Sequence, residues 1–197
     1  MIIATSANLE SLQNFFFVEF GATNGISLSN THMFEKIFSA KGIVAEPARI
    51  WLPELRSNRD CKISSECVWE STGEYLEFVE ADNPDLSGIL GYENSNQELT
   101  HSTKYQVKTI SLVDLLKANE APKTIDFLSI DTEGSEFRIL KSFDFQKYQF
   151  RTIVCEHNYG SERANIKKLL ESNGYKRRHK VISFFDDWYF LDTKYFE

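Results

Sequence analysis

The sequence predicts an α/β protein whose sheet is largely parallel and finishes with an antiparallel strand. Three observations carry that expectation. Residues 15–20, 43–45, 125–130 and 152–155 are short apolar or β-branched runs, the pattern of strands buried on both faces of a parallel sheet. Between them apolar residues recur at helical spacing, and strands alternating with helices build βαβ units. After Gly174, residues 175–182 and 188–191 read as two strands joined by a loop with no room for a crossover helix, so the sheet ends antiparallel.

The first strand, residues 15–20, runs into a glycine-bearing turn. Met33, Phe34, Ile37 and Phe38 then repeat at helical spacing behind Asn30, a residue type that caps helices. The strand at 43–45 stops at Glu46. Residues 82–106 hold Pro84, Gly88, Gly91 and many Asn and Ser residues without a clean period, which reads as an irregular excursion on the ligand side, a lid or acceptor wall. Ser111 and Asp114 form a capping box ahead of Leu112, Leu115 and Leu116. The strand at 125–130 leads into a cluster of acids, and the strand at 152–155 into Glu156 and His157. A last helix carries Ile166, Leu169 and Leu170 and stops at Asn173 and Gly174, residues suited to a left-handed helix end. No repeat or second domain is evident, so residues 1–197 read as one domain.

Composition narrows the function. Lys and Arg number 22 against 29 Asp and Glu, a net charge of −7, the wrong sign for a phosphate-binding surface, which argues against nucleic acid as partner. No apolar run approaches the roughly 20 residues that span a bilayer, and the first residues lack a basic, then apolar, then small-residue leader. The expectation is a cytoplasmic protein with no membrane contact. Cys61, Cys67 and Cys155 fit neither a zinc site nor a disulfide framework and suit a reducing compartment, Cys155 as a small buried hydrophobe. The basic run Lys176, Arg177, Arg178, His179 and Lys180 reads as a solvated strand edge. Phe184 and Phe185 sit on a connecting loop where they could line a pocket, whereas Trp51 and Trp69 read as packing residues.

Ligands of open α/β sheets sit beyond the carboxyl ends of the strands, so polar residues there are the informative ones. The first strand ends Glu19-Phe20-Gly21-Ala22-Thr23-Asn24-Gly25, where two glycines allow a sharp turn and close approach of backbone to a ligand. Glu46, 21 residues beyond Gly25, is spaced to grip ribose hydroxyls. A dinucleotide fingerprint would need further glycines where Thr23 and Ile26 stand. The site therefore reads as one for a nucleoside cofactor without phosphates and with cationic groups, such as S-adenosylmethionine. The second cluster, Asp131-Thr132-Glu133-Gly134-Ser135-Glu136, places three carboxylates at a strand end, an arrangement that repels itself unless something cationic binds.

These stretches, with Ser29-Asn30-Thr31 and Glu46-Pro47, resemble the FkbM-type methyltransferases over roughly residues 15–192, most specifically in the segment from Ile125 through Glu136. The resemblance implies a Rossmann-like methyltransferase fold with a seven-stranded sheet, and S-adenosylmethionine-dependent methylation, usually of a hydroxyl. It further implies that Glu19, Gly21 and Gly25, with Ala22 between them, face the methionine portion, that Glu46 holds the ribose diol, and that Cys67 and Val68 lie along the adenine edge. Asp131 would stand nearest the transferring methyl.

A hydroxyl acceptor must lose its proton. The candidates for a base are Asp131, Glu133, Glu136 and His157. Alternatively Asp131, Glu156 and Asn158 offer hard oxygen ligands to a Mg²⁺ ion that lowers the hydroxyl pKa. Both routes stay open from the sequence. The expected acceptor is a hydroxyl of a sugar, glycan or small metabolite. The rival readings are a cofactor-binding interaction module without turnover and a nicotinamide-dependent oxidoreductase.

Overall fold

In the computed structural model, which describes residues 14–91, 102–181 and 183–192, the chain leaves β1 (Phe16–Phe20), turns into α1 (His32–Phe38) and returns as β2 (Lys41–Ala45). It then passes through α2 (Leu52–Asn58) to β3 (Lys62–Ser64). The middle of the chain forms β4 (Cys67–Trp69), β5 (Tyr75–Glu80), a 3-10 turn at Pro84–Leu86, β6 (Gly88–Ile89) and β7 (Thr103–Ser111). Helix and strand then alternate through α3 (Leu112–Ala118), β8 (Thr124–Ile130), α4 (Glu136–Ser142), β9 (Gln149–Glu156) and α5 (Arg163–Ser172). The hairpin of β10 (Tyr175–Arg178) and β11 (Asp186–Leu191) follows.

The expected seven-stranded sheet is present, in the order β10-β11-β9-β8-β1-β2-β3. β3, β2, β1, β8 and β9 are parallel, while β11 runs antiparallel to both β9 and β10. Its central strands are apolar on both faces because both are covered: Val18, Ile43, Leu128 and Ile153 belong to one core cluster and Phe17, Val44, Phe127 and Val154 to another. Successive residues of a strand point to opposite faces, so the alternation of clusters along β1 and β8 is the signature of a doubly covered sheet. β1 is flanked by β2 and β8, and chain order reverses between them, which opens a crevice at their carboxyl ends.

Several local expectations change. Asn30 does not cap α1: its side chain donates to Ser129 Oγ on β8 at 3.0 Å, and the Ser29 hydroxyl instead accepts from the His32 N–H at 3.1 Å. α1 is only two turns long, so Phe34 is buried against Phe15 and Phe127 while Ile37 is left 67% exposed. Ser111 caps α3 as expected, accepting from the Asp114 N–H at 3.1 Å, and Leu112, Leu115 and Leu116 are buried. Gly174 ends the α5 region at φ 88°.

Residues 82–106 are not irregular throughout. β6 and the start of β7 belong to a second sheet, ordered β4-β7-β5-β6, in which Lys104, Gln106 and Lys108 are exposed while Val107 and Thr109 are buried. That period-two signal is visible in the sequence but is masked by the polar stretch before it. Residues 92–101 of the expected lid lie outside the described residues.

The terminal hairpin also differs in extent. β10 stops at Arg178, ahead of a left-handed His179, and Ile182, the last residue of the expected strand, lies outside the described residues. β11 begins two residues earlier than expected, which brings Asp186 and Asp187 into the sheet. The basic run is only partly a solvated edge. Arg177 Nε lies 2.9 Å from Asp187 Oδ1, and Arg163 of α5 meets both Asp187 oxygens at 2.9 Å. Burial works to raise the Asp187 pKa, but the two guanidiniums outweigh it and hold the carboxyl below its ordinary range. Removing one partner of such a buried pair leaves the others uncompensated, so Asp187→Ala should cost about 3 kcal/mol. A drop in the urea midpoint at unchanged slope would show it.

Candidate functional site

The crevice at the carboxyl ends of β1, β2, β8 and β9 opens into a cavity of about 670 Å³. Its floor starts at Gly21, where φ is 77° and a Cβ would stand 1.6 Å from the Asp131 carbonyl oxygen. Only glycine lets β1 and β8 approach this closely, and the Asp131 N–H then donates to the Phe20 carbonyl at 3.2 Å. Gly25, at φ 81°, has no room for a Cβ either, because the Arg59 and Leu55 side chains stand 2.7 Å from where it would be.

Arg59 is the organising side chain beneath this loop. It is 3% exposed, and it donates to Glu35 Oε2 at 2.9 Å, to Thr31 Oγ1 at 2.9 Å, and to Ser29 Oγ and the Gly25 carbonyl, both at 3.2 Å. Glu19 completes the cluster. It accepts from the Asn30 N–H at 2.7 Å, from the Ser29 and Thr31 hydroxyls at 2.7 and 2.6 Å, and from Arg59 at 3.4 Å. Burial alone would raise the pKa of Glu35, yet hydrogen bonds from Asp60, Cys61 and Arg59 outweigh it and hold the carboxyl at about 2.

This corrects part of the sequence reading. Glu19, Ala22 and Gly25 do not line the cavity; they shape the loop from below, Ala22 inside the core and Glu19 by fixing residues 29–31. Gly21, Glu46, Cys67, Val68 and Asp131 do line it. Glu46 is 4% exposed; its two oxygens accept from the Thr23 N–H at 2.8 Å and the Ala48 N–H at 2.7 Å. Each oxygen keeps a lone pair beyond these bonds. Burial pushes its pKa up to about 7 against those two bonds.

β8 and β9 deliver Asp131 and Glu156 to the same cavity. One oxygen from each of Asp131, Glu133 and Glu156 lies within 4.8 Å of the others, so a cation could take this set. The expected third ligand, Asn158, instead donates Nδ2 to Glu156 Oε1 at 2.5 Å. Burial, together with the neighbouring charges of Asp131 and Glu133, raises the Glu156 pKa, and burial raises that of Asp131 to about 6 despite a hydrogen bond from Glu156. The pair therefore holds one proton between two acids, with Glu156 carrying it.

Two expected bases face elsewhere. Glu136 Oε1 accepts from the Thr132 N–H, the Thr132 hydroxyl and the Gly134 N–H at 2.8–3.1 Å, so it folds the acidic loop. His157 is buried, outside the cavity lining; its Nδ1 accepts from the Tyr159 N–H at 3.0 Å and its Nε2 lies 3.6 Å from Asp187. Burial lowers its pKa against the attraction of Asp187. With its Nδ1 lone pair taken by the Tyr159 N–H and its ring outside the cavity lining, His157 is not placed to act as the base, which corrects that reading.

The structure also adds residues. Trp51, read as packing, lines the cavity and its indole N–H has no hydrogen-bond partner. Ser29, Asn30, Phe185 and Asp186 line it too. Arg59 and Asp186 carried no sequence signal, because their roles depend on strands and loops far apart in the chain.

A glycine turn at the switch point, a buried acid at the end of the next strand and a carboxyl where β8 stops place the protein among methyltransferases of the α/β class. The chain belongs to the methyltransferase FkbM domain family, whose profile matches residues 19–177. Membership implies S-adenosylmethionine as the methyl donor. No curated protein matches the sequence. Among solved structures it is similar to precorrin-6y C5,15-methyltransferase from Geobacter metallireducens GS-15, at 10% identity and a TM-score of 0.48, over 96% of this chain and 87% of that one. The N-terminal domain of human METTL16 gives 12% identity and 0.48, over 95% of this chain and 64% of that one. A methyltransferase from Pyrococcus furiosus gives 14% and 0.44, over 96% and 79%. No helix among the described residues is long and apolar enough to cross a membrane.

Because Arg59 ties the turn at Gly25 to residues 29–31, Arg59→Met should destabilise the fold by about 3 kcal/mol. Arg59→Lys should recover only part of that, since an ammonium cannot reproduce the planar fork of donors. Thermal unfolding of the two variants beside the parent checks this, and equal melting of Met and Lys variants would contradict it.

Proposed function

We propose that the protein transfers a methyl group from S-adenosylmethionine to a hydroxyl oxygen of a sugar, glycan or small metabolite, acting in the cytoplasm and not on nucleic acid or membranes. The observation that carries this is that Glu46 and Asp131, which follow the strands on either side of β1, line one cavity. The residues present suit the donor. Glu46 has lone pairs free for a ribose diol, and the Trp51 indole N–H is available for an acceptor atom of the nucleoside. No Lys, Arg or His among the described residues lines the cavity, which disfavours the pyrophosphate of a nicotinamide dinucleotide and suits a cationic donor.

When bound, S-adenosylmethionine supplies an electrophilic methyl group and leaves as a neutral thioether. The protein's own residues do the rest. Asp131 takes the proton of the acceptor hydroxyl, which its raised pKa suits near neutral pH. Glu156, protonated, holds Asp131 by a hydrogen bond and keeps the pair from repelling itself. Ser29 and Asn30, fixed by Glu19, form the wall beside them. Positioning of nucleophile and methyl in line supplies much of the acceleration. A second reading, favoured by the convergence of Asp131, Glu133 and Glu156, has Mg²⁺ on these oxygens lowering the hydroxyl pKa.

Calorimetric titration should show binding of S-adenosylhomocysteine and none of NAD, with Glu46→Ala weakening the former by about 1.5 to 3 kcal/mol through lost charge-assisted hydrogen bonds. The ribose diol donates to the carboxylate, so affinity should rise with pH through about 7, where Glu46 deprotonates, and Glu46→Gln should flatten that profile.

With an acceptor in hand, turnover should rise with pH through about 6, resist a chelator, and fall at least about a hundredfold in Asp131→Asn, while His157→Gln keeps most activity. Chelator-sensitive turnover restored by Mg²⁺ would favour the metal route. NAD binding with no response to the methyl donor would overturn the proposal.

A further inference from the structure

Three of the four well-exposed aromatic side chains among the described residues, Tyr159, Phe184 and Phe185, lie on the two loops that meet at the carboxyl end of β9. Backbone makes that meeting: the Phe185 carbonyl accepts from the His157 N–H at 2.8 Å and the Asn158 N–H at 3.3 Å. The Tyr159 ring, 65% exposed, stands 6.1 Å from that of Phe185, 61% exposed, edge to face. Single exposed apolar side chains are ordinary, whereas a cluster at the mouth of a cavity marks a binding surface. The backbone that presents Tyr159 is also strained. Asn158 and Tyr159 follow one another at φ 38° and 57°, a left-handed pair without glycine. Of eight such non-glycine residues among the described ones, Thr23, Leu28, Glu133 and Asn158 line the cavity. Strain of this kind persists only where the surrounding structure enforces it, and it gathers at ligand sites.

Phe185 and Asn158 share the cavity lining with Asp131. In the sheet order β11-β9-β8-β1-β2, three strands separate β11, which Phe185 precedes, from β2, which Glu46 follows. Asp131 follows β8, between the two, so the aromatic pair lies on the side of the base away from the ribose-binding acid. Asn158 spends its Nδ2 on Glu156, and its Oδ1 accepts no hydrogen bond among the described residues.

We propose that Phe185 and Tyr159 are the specificity-determining residues for the acceptor: an uncharged pyranose lays its C–H face on these rings, an edge hydroxyl donates to Asn158 Oδ1, and another hydroxyl reaches Asp131. The inference rests on the methyl-transfer reading and adds the acceptor's class and the residues that select it. Phe185 forms the inner part of the platform, and Tyr159 continues it beyond the cavity wall. A pyranose presents two chemistries at once, apolar C–H groups on its ring face and hydroxyl donors around its edge, which match two aromatic faces beside an amide oxygen. A phenol offers a face but a single donor, which the base consumes. A sugar phosphate finds no cationic side chain among the described residues of the lining.

The test uses the full chain saturated with S-adenosylhomocysteine and reads affinity and protein-to-ligand saturation transfer by NMR. The probes are the methyl glycosides of glucose, galactose, mannose, fucose and rhamnose, the corresponding sugar phosphates, and phenol and catechol. At least one glycoside should bind, with the strongest transfer to the protons of one ring face. Phe185→Ala and Tyr159→Ala should each weaken that glycoside at least about threefold. Tyr159→Phe should keep its affinity, because the ring and not its hydroxyl makes the contact, and S-adenosylhomocysteine binding, read in the same samples, should be unchanged. With the bound glycoside as substrate, Phe185→Ala should raise the acceptor KM more than it lowers kcat. The inference is overturned, and the donor reading stands, if no glycoside binds, if a phenol or a phosphate binds more tightly, or if the alanine variants bind the glycoside as the parent does. A loss of S-adenosylhomocysteine binding in step with the glycoside's would make the two rings structural and overturn it as well. If the parent does not bind S-adenosylhomocysteine, the methyl-transfer reading falls first and this inference with it.

Discussion

The carbonyl oxygen of Asp131 lies 1.6 Å from where a Cβ on residue 21 would stand, and the close approach this allows draws the ends of β1 and β8 together. Much of the site follows from that contact. It sets Asp131 at the rim of the crevice where chain order reverses, and it turns the chain after β1 toward β2, so that Thr23 reaches Glu46. The turn would be floppy without a second anchor, which Arg59 supplies from beneath by gripping Gly25, Ser29 and Thr31 together with two buried glutamates. One glycine and one arginine, 38 positions apart in the sequence, thus hold the same loop from opposite sides.

Five buried acids and the half-buried Asp131 fall into two physical kinds. Glu19, Glu35 and Asp187 each meet an arginine and are consumed by structure. Glu46, Asp131 and Glu156 have hydrogen bonds but no cation, and burial raises their pKa values. The first kind contributes rigidity; in the second, Glu46 and Asp131 sit near the point of gaining or losing a proton, which suits binding and proton transfer, while Glu156 carries one.

The sequence made the parallel strands legible because double burial leaves an uninterrupted apolar run, and it made the antiparallel finish legible because a short loop has no room for a helix. It exposed Glu46 and Asp131 through their position after such runs. It did not distinguish Glu19 from Glu46, or Glu136 from Asp131, since an acid after a strand reads the same whether it faces a cavity or folds a loop. That difference is decided by Arg59 and by the Thr132 and Gly134 N–H groups, which reach their partners only in three dimensions. His157 is illegible for a similar reason: its Nδ1 is taken by the Tyr159 N–H, a contact made only by the folded loop. The second sheet was obscured because β6 is two residues long and β7 follows a polar stretch.

The carboxylate of Asp187 has a bearing on where the cooperative unit of this protein ends. The family match stops at residue 177, yet Asp187 lies beyond it and joins Arg163 and Arg177, both inside it. β11, which carries Asp187, stands between β9 and β10, so among the described residues β10 joins the backbone ladder of the sheet through a strand outside the matched region. The matched segment and the segment these contacts tie together are therefore different lengths. A chain cut at the homology boundary would carry two orphaned guanidiniums and a stranded β10, with β9 and its Glu156 turned into an open sheet edge.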